Sequence, residues 1–400
     1  MRVFVLALGS GGDFYPLLAS AIGLAARGHT VTVLAGDWHE PSVRAAGLDF
    51  HPVLSSEEFA RIGPMAQSLA TPGGTWVAFF QHGVMPTVAP VYDYVAARVE
   101  PGNTLLVAPV QGIGLRLIEE RFGVPLVTLL LQPRVHDWDQ TNDEATRRFD
   151  AMYGPLINRH RRRYGLPPLG RSFKGWMVDT ARMVGLFPAW FLSPQVDLPN
   201  QGRLSDFVLF DPAPAQATPP QLDAFLARHD APLVFTYGTA NRAVAEFFAA
   251  AAQACGELGR AAVFLTPHRH LLPDPLPPHV LQLDYVPLAA LLPYSECLIH
   301  HGGIGTCAQA LRAGIAQVIV PGAFDQYSNA VRVEALGVGK ALAPHLLNAA
   351  SLAGVLRGAL DDPAVAARCR AVAARFAPGD GVEQCCEAIL ELAGRMPERR

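Results

Sequence analysis

Half of the 400 residues are hydrophobic (50%) and only 17% are charged; this is apolar material for two sizeable cores and rules out a disordered chain. A formal net charge of -3 leaves no general cationic field, which sets nucleic acid aside as a partner. The six cysteines, Cys255, Cys297, Cys307, Cys369, Cys385 and Cys386, form no Cys-x-x-Cys pair and predict free thiols in a cytoplasmic setting, with neither a zinc site nor a disulfide framework.

In chain order, Val3 to Leu8 is an apolar run of strand length, followed by Gly9-Ser10-Gly11-Gly12-Asp13 and a helical stretch from Leu17 to Arg27 that ends at Gly28. Strand, glycine loop and helix open a βαβ unit. A Gly/Asp turn stands where a signal-peptide cleavage site would have to lie, so the N-terminus reads as a first core strand. Thr30–Ala35, Leu105–Ala108 and Pro125–Leu131 are further short apolar runs of the kind that form buried parallel strands.

Residues 62–92 contain no Asp, Glu, Lys or Arg, yet glycines and prolines break the run too often for a membrane-spanning helix. This stretch lines an apolar cleft, touches a membrane surface, or is a plain buried helix pair. Residues 135–180 are more polar, and Arg159-His160-Arg161-Arg162-Arg163 reads as a solvated helix face or as a steering patch for an acidic acceptor. Four prolines at 212, 214, 219 and 220 mark a linker. The pattern then restarts, with strands at Leu233–Tyr237, Ala262–Thr266, Val280–Tyr285, Cys297–His300 and Gln317–Val320 and helices at about 243–258 and up to Ala313. The expected fold class is α/β: two Rossmann-like, doubly wound parallel-sheet domains facing each other across a cleft.

Three constellations carry chemistry. His300-His301-Gly302-Gly303-Ile304-Gly305-Thr306 lies between a strand and a helix. Its glycines let backbone approach a ligand, and the helix that follows offers unpaired N–H groups and the positive end of its dipole, so an anion such as a diphosphate suits it. No Lys follows, which excludes a Walker A loop; a purely structural turn is the alternative. About twenty residues on, Asp325-Gln326 follows the next strand, at the edge where doubly wound sheets bind ligands. A carboxylate and an amide there suit sugar hydroxyls, unless Asp325 only caps the next helix. The third is Gly9 to Asp13, where Phe14 occupies the last glycine position of a dinucleotide fingerprint. Asp37 keeps a nicotinamide-dependent oxidoreductase open as an alternative, and Asp13 reads equally as a helix cap or a general base.

Together these pieces resemble the GT-B nucleotide-sugar glycosyltransferases of family 1. The likeness covers nearly the whole chain and is most specific where HHGGIGT joins P-x-x-x-DQ-x-x-N (Pro321 to Asn329). With GLFPAW (185–190), VFTYGT (234–239) and FLT (264–266), the chain looks most similar to the rhamnosyltransferases of rhamnolipid synthesis. The resemblance implies an acceptor-binding domain over 1–205, a linker over 206–230, a donor-binding domain over 231–375 and a C-terminal helix within 376–400 that packs back on the first domain. It implies that His301, Gly303, Gly305, Thr306 and Thr239 hold the donor diphosphate, that Tyr285, Val286 and Leu288 hold the nucleobase, and that Asp325 and Gln326 read the transferred sugar. Gln309 stands where many UDP-sugar enzymes carry a ribose-binding Glu, which keeps dTDP as well as UDP in view.

Asp13 would be the catalytic base of an inverting, metal-independent transfer, in place of the histidine of many relatives. Ser10, Trp76, Phe79, Phe80, Trp138 and Trp176 would meet a hydrophobic acceptor bearing a hydroxyl. No cofactor is expected beyond the nucleotide-sugar co-substrate. A cytoplasmic enzyme with peripheral membrane contact, or a non-catalytic sugar-nucleotide-binding subunit, completes the readings.

Overall fold

The computed structural model describes residues 1–62, 74–133, 144–192, 202–211, 219–237, 245–376 and 381–394. The chain divides into two units, Met1–Phe210 with Gly379–Arg400, and Asp211–Pro378.

The first unit is built on a seven-stranded sheet of β1 (Arg2–Leu6), β2 (Thr30–Gly36), β3 (Asp49–Leu54), β4 (Thr104–Pro109), β5 (Leu126–Leu130), β6 (Met183–Gly185) and β7 (Arg203–Leu204). Their spatial order is β3-β2-β1-β4-β5-β6-β7 and every pairing is parallel. Central strands covered on both faces must be apolar throughout, which is why β1 and β4 stand out in the sequence. The strands that do not stand out are peripheral: β3 carries His51 and Pro52 at a sheet edge, where a missing N–H is tolerated, and β6 and β7 are two or three residues long. The first helix runs Gly11–Ala26, starting six residues before the sequence reading. Gly11, Gly12 and Asp13 therefore belong to its first turn, with Ser10 as N-cap.

The second unit repeats the scheme with β8 (Leu233–Thr236), β9 (Ala262–Leu265), β10 (Val280–Leu283), β11 (Cys297–His300), β12 (Ala316–Ile319) and β13 (Gly339–Ala341), in the parallel order β10-β9-β8-β11-β12-β13. Both sheets thus reverse their winding beside their first strand, between β1 and β4 and between β8 and β11. In open parallel sheets, ligands bind beyond the carboxyl ends of the strands at such a reversal.

Three segments differ from the sequence reading. Phe207 and Val208 are buried in the first unit, and residues Pro220–Leu226 form a helix that buries Leu222 and Phe225 in the second. The connection is thereby confined to 211–219, because a Pro at the first turn starts a helix as readily as it ends one. Within 62–92 the described part is a helix (Gly74–Phe79), a π turn (Phe80–Val84), a 3-10 turn (Met85–Thr87) and a helix (Val88–Ala96) that buries Ala78, Phe80, Val84, Val88 and Val91. That is core. In the helix Glu144–Arg163, Arg161 points inward at 4% exposure, pairing with Glu120 at 2.7 Å and donating to the Pro167 carbonyl, so the basic run is only partly a solvated face.

The helix Gly381–Gly394 packs on the first helix of the first unit. Cys385, Cys386, Ile389 and Leu392 join Leu17, Leu18 and Ala21 in one core; Arg203 pairs with Glu391 at 2.9 Å and the Leu392 carbonyl accepts from Arg182. All six cysteines are buried thiols. No helix among the described residues is long and apolar enough to cross a membrane.

Candidate active site

The carboxyl end of β11 carries the glycine loop. His300, the last strand residue, is fully buried; its Nδ1 accepts from the Gly302 N–H at 3.0 Å and its Nε2 donates to Gln317 Oε1 at 3.1 Å. Gly302 has φ +93°, and a Cβ there would lie 2.7 Å from Ile319 Cγ2 and 3.1 Å from the Gln326 carbonyl, so glycine is required on both counts. Its own carbonyl accepts from Asn329 Nδ2 at 2.9 Å, which joins this loop to the one after β12.

The chain then turns through Gly303, the extended N-cap of the helix Ile304–Ala313. No side chain caps that helix, so its first N–H groups keep their capacity for an anion and the helix dipole adds to it. His301 packs over Gly303, with its Nδ1 buried and without a hydrogen-bond partner among the described residues. Burial pushes its pKa down to about 4 and that of His300 to about 3, so both rings are neutral at physiological pH. The edge of the neutral ring that lies against Gly303, at the uncapped helix start, is Nε2, which is suited to hydrogen-bonding a phosphate oxygen. Gly305 and Thr306 complete the first turn, a Cβ on Gly305 would meet nothing within 4 Å, and Gln309 lies one turn on.

The loop after β12 is held by its own side chains. Gln326 Oε1 accepts from the N–H groups of Gly322 (2.7 Å) and Ala323 (2.9 Å), leaving the amide NH2 edge for a ligand. Asp325 occupies the N-cap position of the helix Gln326–Ala335 without a side-chain cap bond; its Oδ2 accepts from Asn329 Nδ2 at 2.7 Å. It is therefore not committed to capping. Tyr285 is 54% exposed and donates to Asp211 Oδ1 at 2.6 Å, whereas Val286 is core, so only its backbone can serve a nucleobase. Leu288 opens a short helix, Leu288–Leu291. Thr239 lies outside the described residues.

In the first unit, one carboxylate oxygen of Asp13, Oδ2, accepts from both the Ser10 N–H (3.1 Å) and the Ser10 hydroxyl (3.3 Å). Asp13 is therefore the third residue of its helix and the partner of the cap, rather than the cap itself. Gly9 before it has φ +112°, and a Cβ there would fall 2.3 Å from that oxygen. Buried His39 donates to the Gly9 carbonyl at 3.4 Å and stacks on Phe14 with ring centroids 3.7 Å apart; burial lowers its pKa to about 4.

The aromatic acceptor candidates divide. Trp76 and Phe79 are half-buried with their rings edge to face at 6.1 Å. Phe80 is closed off by Phe149, Tyr153 and Phe173. Trp176, 3% exposed, bonds Glu120 through its indole N–H and lies under the Arg116 guanidinium. Phe80 and Trp176 are thus core rather than lining, because a large ring amid apolar and paired charged neighbours gains more from packing than from exposure. Trp138 lies outside the described residues. Among those described, no group of His, Cys, Asp or Glu could hold a metal ion.

Comparison with known proteins bears on this geometry. Residues 3–99 match the glycosyltransferase family 28 N-terminal domain, and residues 256–388 match the erythromycin biosynthesis protein CIII-like C-terminal domain. The chain is a GT-B glycosyltransferase. The O-mycaminosyltylonolide 6-deoxyallosyltransferase of Streptomyces fradiae is 29% identical to this glycosyltransferase over 98% of both chains, and the dTDP-epi-vancosaminyltransferase of Amycolatopsis orientalis is 28% identical over 93% of each. The solved structure of glycosyltransferase VinC in complex with dTDP shares the fold, with a TM-score of 0.69 at 21% identity, covering 98% of this chain and 99% of that one. The oxidoreductase alternative gives way to this assignment.

Sequence reasoning included His300 and Asn329 in its motifs without giving them a role, and missed Gln317 and His39 as site residues. A signal existed for Gln317: an amide inside the buried strand Ala316–Ile319 must have a partner. His39 carried none, since its partner is a backbone carbonyl thirty positions away.

Proposed function

We propose that this glycosyltransferase moves a sugar from a dTDP-linked donor to a hydroxyl of a hydrophobic natural-product acceptor, with inversion at the anomeric carbon and without a metal ion. The observation that carries the reading is the loop from His301 to Thr306: a neutral imidazole whose Nε2 lies over the N-cap of an uncapped helix at the winding reversal of the second sheet. As the acceptor oxygen forms its bond to the anomeric carbon, its proton passes to Asp13. The bond from that carbon to the diphosphate oxygen breaks, and the electron pair leaves with the diphosphate. The charge that develops there is stabilised by His301, the first N–H groups of the helix and its dipole.

Asp325 accepts from sugar hydroxyls and the Gln326 amide donates to them. The neutral Gln309, the dTDP bound by VinC and the dTDP-sugar in the name of the vancosaminyltransferase favour a thymidine over a uridine donor. The mycaminosyltylonolide in the name of the Streptomyces fradiae relative favours a bulky acceptor over a hydroxyacyl lipid. The chain has one Asp-x-Asp triplet, Asp137-Trp138-Asp139, outside the described residues; metal independence rests on the helix dipole and is tested directly.

The test is a donor-by-acceptor screen by mass spectrometry, pairing dTDP-rhamnose, other dTDP-deoxysugars and UDP-glucose with macrolactone aglycones, phenols and hydroxyacyl lipids. Expected are products from a dTDP-sugar that persist in excess EDTA and carry the opposite anomeric configuration by NMR. Retention of configuration, loss of turnover in EDTA, or transfer from UDP-sugars alone would each overturn the corresponding part. His301→Ala should raise the donor KM and lower kcat; unchanged kinetics would remove the loop from the reaction.

A further inference from the structure

We propose that His300 and Gln317 are positioning residues that hold the diphosphate loop in its binding shape through a chain of hydrogen bonds anchored at both ends on backbone. This rests on the reading of the loop as the donor site.

The order of constraint runs from the helix inward. The Cys307 carbonyl can only accept, so it fixes which edge of the Gln317 amide faces it, the NH2 at 3.4 Å. Gln317 Oε1 then faces His300 Nε2, which must carry the proton. Nδ1 is left as a lone pair aimed at the Gly302 N–H, the one donor of the left-handed residue on which the loop turns. The other tautomer, or a protonated ring, would set two donors against each other at that point. His300, Gln317 and Asn329 are all fully buried, so no water stands in for a lost partner. The titratable groups around the ring are His301, with its centroid 6.2 Å away, Cys307 through its carbonyl, and Asp325 behind Asn329.

The two ring nitrogens can be tested separately, because Asn places its carbonyl oxygen where Nδ1 sits and Gln reaches only towards the position of Nε2. The measurement is the dissociation constant for dTDP by calorimetry, with the melting temperature recorded for every variant. His300→Asn and His300→Gln should lose similar thermal stability. His300→Asn should bind dTDP within about threefold of the parent and His300→Gln about tenfold or more weakly, the scale of one buried donor left without an acceptor. Gln317→Leu frees the tautomer and should weaken binding severalfold in the parent, yet add nothing in the His300→Asn background, where no tautomer exists.

Equal dTDP affinity for His300→Asn and His300→Gln would overturn the proposal, as would an undiminished effect of Gln317→Leu beside His300→Asn. His301→Ala separates the two levels: if it leaves dTDP binding unchanged, the donor-site reading fails. If it weakens binding while the His300 pair does not differ, only the positioning role fails.

Discussion

Asp13 has one job in the fold and a second in the proposed reaction. Its Oδ2 accepts both donors of Ser10 and fastens the start of the first helix, while the same residue stands at the carboxyl edge of β1, where the proposed reaction needs a base. Replacement by Asn keeps an acceptor oxygen for Ser10 and removes the basicity, so Asp13→Asn should retain the melting temperature and dTDP binding while turnover falls at least about 100-fold. Single-turnover rates beside a calorimetric titration check both halves, and near-normal turnover would take Asp13 out of the mechanism. Its candidacy was legible from the sequence because a lone acid after a strand and a glycine cluster is conspicuous. The choice between cap and base was not, since both readings place it at a helix start. Trp176 shows the opposite limit: its residue type suggested a binding surface, but its indole is committed to Glu120 and its face to Arg116.

The loop proposed to hold the diphosphate, taken as an element, has glycines with separable duties. Gly302 bends the chain through a left-handed conformation against Ile319, whereas a Cβ at Gly305 would meet nothing within 4 Å. Gly302→Ala should cost about 1–3 kcal/mol in strain alone, visible as a lower denaturation midpoint, and should also abolish measurable dTDP affinity. Gly305→Ala sits within a helix, where Ala is favoured by about 1 kcal/mol, so it should hold or raise the midpoint while weakening dTDP binding. A fall in both quantities for Gly305→Ala would mean that the position is structural. The loop's place between strand and helix was plain from HHGGIGT. The clamp beneath it was not, because Asn329, twenty-seven positions after Gly302, reaches it only once β12 has brought the second loop alongside. The extent of the first helix was obscured for a related reason: Gly11 and Gly12 read as loop, but with Ser10 and Asp13 forming a cap they are turned into helix.

Across the whole molecule, acid should act through buried imidazoles. His39 in the first unit and His300 and His301 in the second are held neutral by burial, with folded pKa values of about 4, 3 and 4 against an ordinary 6.5. Each takes up a proton when its unit unfolds in that window, so stability rises with pH between about 4 and 6.5 and is lost as pH falls through it. Melting curves from pH 4.5 to 8 should be flat above about pH 7 and fall below 6.5, with a gentler slope in a His39→Phe variant. A slope unchanged by that substitution would assign the acid sensitivity elsewhere.

The C-terminal segment Gly381–Gly394, sealed into the core of the unit that also contains residue 1, makes the second unit an insert spliced into its sibling, fastened by two covalent tethers. A stop codon before residue 381 would therefore wound the half farther away along the chain. Such a truncated protein should expose the apolar side of Gly11–Ala26 and bind a hydrophobic dye, while residues 219–376 still melt cooperatively. A single protease nick between 211 and 219 should leave the second unit covalently joined to Gly381–Gly394, and a second cut near 377–380 is needed to sever that link.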